Sequence, residues 1–115
     1  MAAFMPFEPN MGATTGNTVA LVTGSAGGSI STVLSLNLEP AFSMLVTNSG
    51  PDTVYVRMSN ETSPVATATD CPMLPNTVRL FASPNPAGVC GVAVMATISS
   101  SLNTVYFTPG NGGIF

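Results

Sequence analysis

The chain has 115 residues, of which only five are acidic and two basic, and it contains no histidine and no tryptophan. Acid–base catalysis usually draws on His or coupled carboxylates, zinc sites on His and Cys clusters, and nucleic-acid binding on several Lys or Arg. This composition argues against all three, so we expect one small domain that is not an enzyme and holds no cofactor or metal.

The first 16 residues are predicted to form an N-terminal arm. Phe4, Met5 and Phe7 lie beside Pro6 and Pro9 there, and such a segment suits neither a helix nor a central strand. These side chains either fold back onto the domain's own core or reach into a neighbouring subunit. The segment has no basic start followed by a long apolar run, so we expect no secretory signal.

Period-two alternation in β-branched runs predicts about eight short strands within a domain spanning residues 17–108. In 52–58, for example, apolar side chains alternate with Thr53, Tyr55 and Arg57. No apolar run is long enough for a membrane-spanning helix. The spacing of the strands is typical of a β-sandwich or barrel. The predicted strands are 17–23, 30–36, 42–47, 52–58, 65–69, 76–81, 89–98 and 102–108.

Two predictions concern how these strands are arranged. Residues 48–52, Asn-Ser-Gly-Pro-Asp, separate two alternating runs and predict a hairpin between 42–47 and 52–58. Residues 89–98 are apolar at both parities, which predicts a central strand buried on both faces. Gly91 within it is expected at a bulge or a close contact.

The remaining candidates are two cysteines, two arginines and the C-terminus. Cys71 and Cys90 are expected to be free and buried, with a disulfide left open. Arg57 and Arg79 are candidates for ion pairs, within the domain or across an interface, and exposed edge-strand charges are the alternative. Residues 109–115 are predicted to be a flexible tail that ends in an apolar pair, Ile114 and Phe115.

Three stretches resemble small structural proteins of tailed bacteriophages. They are Leu-Val-Thr-Asn-Ser-Gly-Pro-Asp-Thr-Val-Tyr-Val-Arg at 45–57, Ala-Thr-Ala-Thr-Asp-Cys-Pro-Met-Leu-Pro-Asn-Thr-Val-Arg-Leu at 66–80, and Thr-Val-Tyr-Phe-Thr-Pro-Gly at 104–110. The resemblance covers about residues 41–110. It is to capsid cement or decoration proteins, which are commonly jelly-roll-like sandwiches that clamp adjacent capsomers.

The resemblance and the strand pattern together predict an all-β, single-domain antiparallel β-sandwich, jelly-roll-like, with extended N- and C-terminal arms. The implied function is a virion cement protein that binds the outer surface of the major capsid lattice, assembled in the host cytoplasm. Its partners would be the major capsid protein and further copies of itself, without nucleic acid or membrane. The predicted contact residues are Phe4, Met5, Phe7, Ile114 and Phe115.

Two alternatives to the cement function stay open. The first is a tail or head–tail connector subunit, which would be present in few copies per particle. The second is a glycan-binding host-attachment module. The absence of Trp, the presence of only two Tyr and the dispersed carboxylates give a sugar-binding or sugar-cleaving site little to build on.

Overall fold

The computed structural model describes residues 7–9, 18–23, 28–36, 40–96 and 102–112. These residues form β-strands and no helix. The strands are β1 (Glu8–Pro9), β2 (Val19–Thr23), β3 (Ile30–Ser35), β4 (Ser43–Asn48), β5 (Val54–Ser59), β6 (Cys71–Met73), β7 (Thr77–Ala82), β8 (Val89–Ala96) and β9 (Asn103–Asn111).

Two antiparallel sheets make up the domain. Sheet A has the order β1-β9-β4-β7, with β2 also paired to β9, and sheet B has the order β3-β8-β5-β6. β1 and β2 lie end to end along the edge of β9 that faces away from β4. Apart from β1, the sheet orders 2-9-4-7 and 3-8-5-6 are those of an eight-stranded jelly roll. The predicted jelly-roll-like sandwich is therefore confirmed.

The core lies between the two sheets, and its described buried members are aliphatic or sulfur-containing except for Phe107. Phe107 of β9 is its largest fully buried side chain. Removing such a side chain from water stabilises the fold by about 1.5–3 kcal/mol. The other buried members of the core cluster are Leu21, Leu34, Leu36, Ala41, Met44, Val46, Val54, Val56, Met73, Cys90, Val92, Val94, Ala96 and Val105.

The predicted hairpin between 42–47 and 52–58 is wrong, because β4 belongs to sheet A and β5 to sheet B. Asn48, fully buried at the end of β4, donates through Nδ2 to the Asp52 carbonyl at 3.0 Å. It also donates to the Met73 carbonyl at 3.2 Å, at the edge of sheet B. Turn-forming residues are equally suited to a hairpin within one sheet and to a connection that crosses from one sheet to the other. Residues 49–53 form such a crossing, and the buried Asn48 amide holds it to both sheets.

Three further boundaries differ from the predictions. Residues 65–69 are not a strand, since they lead into a turn in which the Asp70 N–H donates to the Thr67 carbonyl at 3.0 Å. The short strand β6 was not predicted, because its central Pro72 signals a turn. β9 runs to Asn111, so residues 109–111 belong to sheet A and not to a tail.

The connection between β5 and β6, residues 60–70, lies over the outer side of sheet B. A Cβ built on Gly91 would run into the Glu61 carbonyl oxygen and would lie 2.7 Å from Pro64 Cδ. Further along, the Ala66 N–H donates to Ser29 Oγ at 2.9 Å, next to β3. The predicted burial of the β8 strand on both faces is thereby confirmed for most of its length. The close contact expected at Gly91 is confirmed as well.

Candidate interaction surface

Sheet A presents a broad face to the outside. Met44, Val46 and Phe107 point into the core, so alternation turns their strand neighbours outward. Residues directly opposite one another in antiparallel strands share a face, which adds members from β2 and β7. We call the result the outer face of sheet A: Ala20, Val22, Leu45, Thr47, Val78, Leu80, Thr104, Tyr106 and Thr108.

The outer face of sheet A, as far as it is described, carries no charged side chain. Val22, Val78 and Tyr106 are 43%, 56% and 39% exposed. The threonine hydroxyls at its margin satisfy one another in part, since Thr18 Oγ1 and Thr108 Oγ1 are 2.9 Å apart. A contiguous apolar patch of this kind, rimmed by small polar groups, is typical of an interaction site.

The described charges lie elsewhere on the domain. Glu8 is on the edge strand β1, and Asp52 lies in the crossing between the sheets. Arg57, Glu61 and Asp70 are on the outer side of sheet B or in the connection above it.

The sixth described charge, Arg79, is paired with Val46 and so lies on the opposite side of β7. A partner that covers the outer face of sheet A would therefore displace water from no ionised group that the structure describes. The large desolvation cost of burying a charge would not arise.

Phe7 is the one predicted contact residue that the structure describes. Its ring lies against Gly110 of β9, where an added Cβ would be only 2.5 Å from Phe7 Cζ. Residues 8–9 pair with β9 at Asn111 and Gly110. The segment 7–9 thus contacts this domain's own sheet, but Phe7 is not part of the core cluster, and its role as a capsid or subunit contact stays a prediction. The ring is half-buried and adds an aromatic group at one end of the outer face of sheet A.

The other four predicted contact residues, Phe4, Met5, Ile114 and Phe115, lie outside the described residues. Their role as capsid or subunit contacts stays a prediction.

Arg57 forms its ion pair inside the domain. Its Nη1 lies 3.0 Å from Asp70 Oδ1, with the arginine side chain 45% and the aspartate 14% exposed. The Asp70 carboxylate also accepts the Thr67 N–H at 2.8 Å. That backbone hydrogen bond is the main cause that lowers the pKa of Asp70; burial opposes it and Arg57 adds to it. The pair fastens the end of the 60–70 connection to β5.

Arg79 lies at the open side of the sandwich, where β7 of sheet A comes near β6 of sheet B. Its Nη1 donates to Cys71 Sγ at 3.2 Å, and its guanidinium carbon is 5.2 Å from the centre of the Phe81 ring. Beside it lies a groove of about 440 Å³, lined by Met58, Asp70, Phe81 and their neighbours. In this structure Arg79 contacts a thiol and a ring of its own domain.

Both cysteines are free, which answers the open question of a disulfide; the expected burial is confirmed for Cys90 and wrong for Cys71, which is half-exposed. Cys71 on β6 and Cys90 on β8 are separated by the intervening strand β5. Cys90 is fully buried, and burial raises the pKa of its thiol, with the Ser83 hydroxyl opposing. A buried, protonated thiol of this kind serves as a small apolar core group.

Among the described residues no group of three or more His, Cys, Asp and Glu side chains comes together in a way that would hold a metal ion. None of the described segments forms a helix long and apolar enough to span a membrane.

Sequence reasoning missed the outer face of sheet A as a candidate site. Alternation marks two sides of each strand, but in residues 78–81 and 104–107 apolar side chains occupy both sides. Which side faces the core depends on the pairing partners, and these were not predicted. The signal for such a face is a strand in which one set of alternate residues is purely apolar and the other set mixes apolar residues with Thr or Tyr.

Comparison with known proteins shows the fold and no more. No protein-family model matches the chain, and no curated protein matches it in sequence. A structure described as the crystal structure of PirA superposes with a TM-score of 0.55 at 12% identity, over 87% of this chain and 99% of that one. This likeness supports the same arrangement of strands.

Two further solved structures are more distant. KdgF from Halomonas sp. gives a TM-score of 0.36 at 14% identity, over 90% of this chain and 80% of that chain. The coat protein of Tobacco streak virus gives 0.33 at 9% identity, over 86% and 90%. Both superpose too loosely to carry an argument about function.

Proposed function

We propose that this chain is a structural protein of a virus particle, and specifically a capsid cement protein of a tailed bacteriophage. The observation that carries the proposal is the outer face of sheet A, which is broad, half-exposed and uncharged. Its members Val22, Leu45, Val78, Leu80 and Tyr106 offer apolar contact from four neighbouring strands. The phage-protein resemblance of residues 41–110 supplies the particle type.

The proposed mechanism is burial of this face against the major capsid subunits. Apolar area removed from water stabilises an interface by roughly 25 cal/mol per Å² before the costs of association are subtracted. A modest gain at each site is repeated at every equivalent lattice position, and a protein that bridges neighbouring capsomers binds more tightly than one contact allows. Phe7 extends the same face, so one predicted contact residue fits this docking side without reaching out of the domain.

The jelly-roll scaffold suits this role physically. The two sheets bury a common core, and among the described residues only 7–9 lie at one end of the outer face of sheet A, whereas residues 60–70 lie over part of the outer side of sheet B. The two sides of the domain therefore differ in character. One is smooth, uncharged and built on regular strands; the other carries Arg57, Glu61 and Asp70 on β5 and a long connection.

The test is the number of copies per particle, measured by quantitative mass spectrometry of purified particles against the major capsid protein. A cement protein is expected at hundreds of copies, in a fixed ratio to lattice positions. A count of about six to twelve would instead support the connector alternative, because connectors follow cyclic symmetry. Absence of the chain from purified particles would contradict any virion role.

A further inference from the structure

The free edge of β7 is the feature that carries a further inference. β7 lies at the end of sheet A, paired with β4 on one side and with no described strand on the other. The chain is described without a break from residue 40 to residue 96, so the segments on both sides of β7 are placed, and neither pairs with it along this edge. The edge strands β1, β2 and β3 differ in this respect, because the structure does not fully describe the chain before and after each of them.

The hydrogen-bonding groups on this edge follow from the pairing with β4. The Ser83 N–H donates to the Phe42 carbonyl at 3.0 Å, so this pair is hydrogen-bonded and the pattern alternates along the ladder. Phe81 and Arg79 accordingly bond towards β4. The N–H and C=O groups of Val78, Leu80 and Ala82 point to the free edge.

Nothing described on β7 protects this edge from pairing. Sheet edges are commonly protected by proline or by outward charges, and β1 and β6 each contain a proline. β7 contains none, and its one charged residue, Arg79, is engaged with Cys71 and Phe81 on the side that faces sheet B. Val78, Leu80 and Ala82 therefore form a short, uncharged edge with their donors and acceptors available.

We propose that two copies of this chain associate through β7, antiparallel, about a two-fold axis at Leu80. Leu80 then pairs with Leu80 of the second copy, and Val78 pairs with Ala82 in both directions. These three hydrogen-bonded pairs supply about six main-chain hydrogen bonds. The two copies of sheet A become one sheet, and the uncharged outer face of sheet A continues across the axis.

Charge and the number of hydrogen bonds favour this register over the two adjacent registers, which have the two-fold axis at Arg79 or at Phe81. An axis at Leu80 sets each Arg79 opposite Phe81 of the second copy, and a guanidinium and an aromatic ring attract one another in such an arrangement. An axis at Arg79 would set two guanidinium groups opposite each other, which is unfavourable for directly opposed strand residues. An axis at Phe81 would pair only Leu80 with Ala82 and lose about two hydrogen bonds.

The first experiment measures the mass of the isolated chain by sedimentation equilibrium from about 5 µM to about 1 mM, a range that covers weak dimers. A reductant is present so that Cys71 cannot cross-link two copies. A reversible monomer–dimer equilibrium is expected. Leu80→Pro removes an edge-facing N–H without touching a bond to β4, and is expected to weaken dimerisation at least about tenfold. A chain that stays monomeric throughout the range overturns the proposal.

The second experiment tests the register with two double variants that differ at one residue. Val78→Glu with Ala82→Lys sets opposite charges across the axis twice, whereas Val78→Lys with Ala82→Lys sets like charges there. The first is expected to dimerise at least about tenfold more tightly than the second. Circular dichroism shows whether each variant is folded. Equal dimerisation of the two folded double variants overturns the register.

This inference does not rest on the proposed function, because it concerns the isolated chain. Failure to dimerise leaves the copy number per particle to be measured on its own. Absence of the chain from particles would likewise leave the dimer standing.

Discussion

Asn103 and Asp52 tie the two sheets together at one end of the sandwich. Asn103, the first residue of β9, accepts the Asp52 N–H through Oδ1 at 2.9 Å and donates through Nδ2 to Asp52 Oδ2 at 3.1 Å. Its own N–H donates to Thr23 Oγ1 of β2 at 3.2 Å. Gly50 lies so close that a Cβ there would run into the Asn103 side chain. One buried amide thus positions the crossing that a hairpin was predicted to occupy.

Asn103→Ala is expected to lower the free energy of unfolding by about 1–3 kcal/mol, because the partly buried Asp52 N–H loses its partner. Asn103→Asp is expected to cost at least as much at pH 7, since a carboxylate replaces the donor and faces Asp52. Urea unfolding followed by circular dichroism measures both. Asn60→Ala at an exposed position is the control, expected within about 0.5 kcal/mol of wild type. An Asn103→Ala protein as stable as this control would contradict the tie.

Gly91→Ala is expected to destabilise the domain by about 1–3 kcal/mol, because the new methyl group overlaps the Glu61 carbonyl and crowds Pro64. Gly28→Ala is the matched control: a Cβ at that position has nothing within 4 Å. Thermal melts compare the two variants. Equal melting temperatures would mean that the 60–70 connection does not lie over β8 as described.

The thiols are expected to react at very different rates. Cys90 is fully buried, and burial raises the pKa of its thiol, whereas Cys71 is half-exposed on β6. Modification of Cys90 by a thiol reagent requires the core to open, so it should be slower than that of Cys71 by on the order of a thousandfold. Mass spectrometry after timed labelling locates the modified residue. Comparable rates at the two sites in the folded protein would contradict the placement of β8 in the core.

Asp70→Asn is expected to lower stability in a pH-dependent way. The Thr67 N–H lowers the pKa of Asp70 in the folded state from its ordinary value of 3.8, and Arg57 adds to this effect. The carboxylate therefore stabilises the fold fully above pH 3.8, and this contribution is lost as the pH falls through the lower folded-state pKa. An exposed ion pair contributes at most about 1 kcal/mol. The difference in unfolding free energy between wild type and Asp70→Asn should therefore be larger at pH 7 than at pH 2.5.

Most strand positions could be predicted from the sequence, because β-branched alternation is a local property. Val54 and Val56 alternate with Tyr55 and Arg57, and β5 lies there with its apolar side in the core. Sheet membership could not be predicted in the same way, because strands of both sheets alternate alike. The connection from Asn48 onward shows this: the same turn residues serve a crossing, and its distant hydrogen-bond partners, Asn103 and the Met73 carbonyl, cannot be read from the local sequence.

The candidate site was harder to predict than the fold. The sequence predicted contact residues among the large apolar side chains near the chain ends. The one that the structure describes, Phe7, lies on the domain's own sheet. The outer face of sheet A could not be predicted from the sequence. Tyr106 and Val78 look like ordinary strand residues until the strand pairing shows which side of β9 and β7 meets the core. Burial is a non-local quantity, so no local pattern separates the two sides.

The central claim is that the outer face of sheet A binds the capsid lattice, and a matched pair of variants tests it. Val22 on that face and Val33 on the outer side of sheet B are 43% and 45% exposed, and both lie on edge strands. Val22→Lys places a charge in the proposed interface, whereas Val33→Lys makes the same chemical change outside it. Both are expected to fold with near wild-type stability, since each side chain is exposed.

The measurement is the number of copies on purified particles that carry each variant in place of wild type, counted by quantitative mass spectrometry against the major capsid protein. The account predicts that Val22→Lys loses at least about tenfold in occupancy, as expected for a charge buried in an apolar interface, and that Val33→Lys keeps the wild-type number. Wild-type occupancy with Val22→Lys would contradict it.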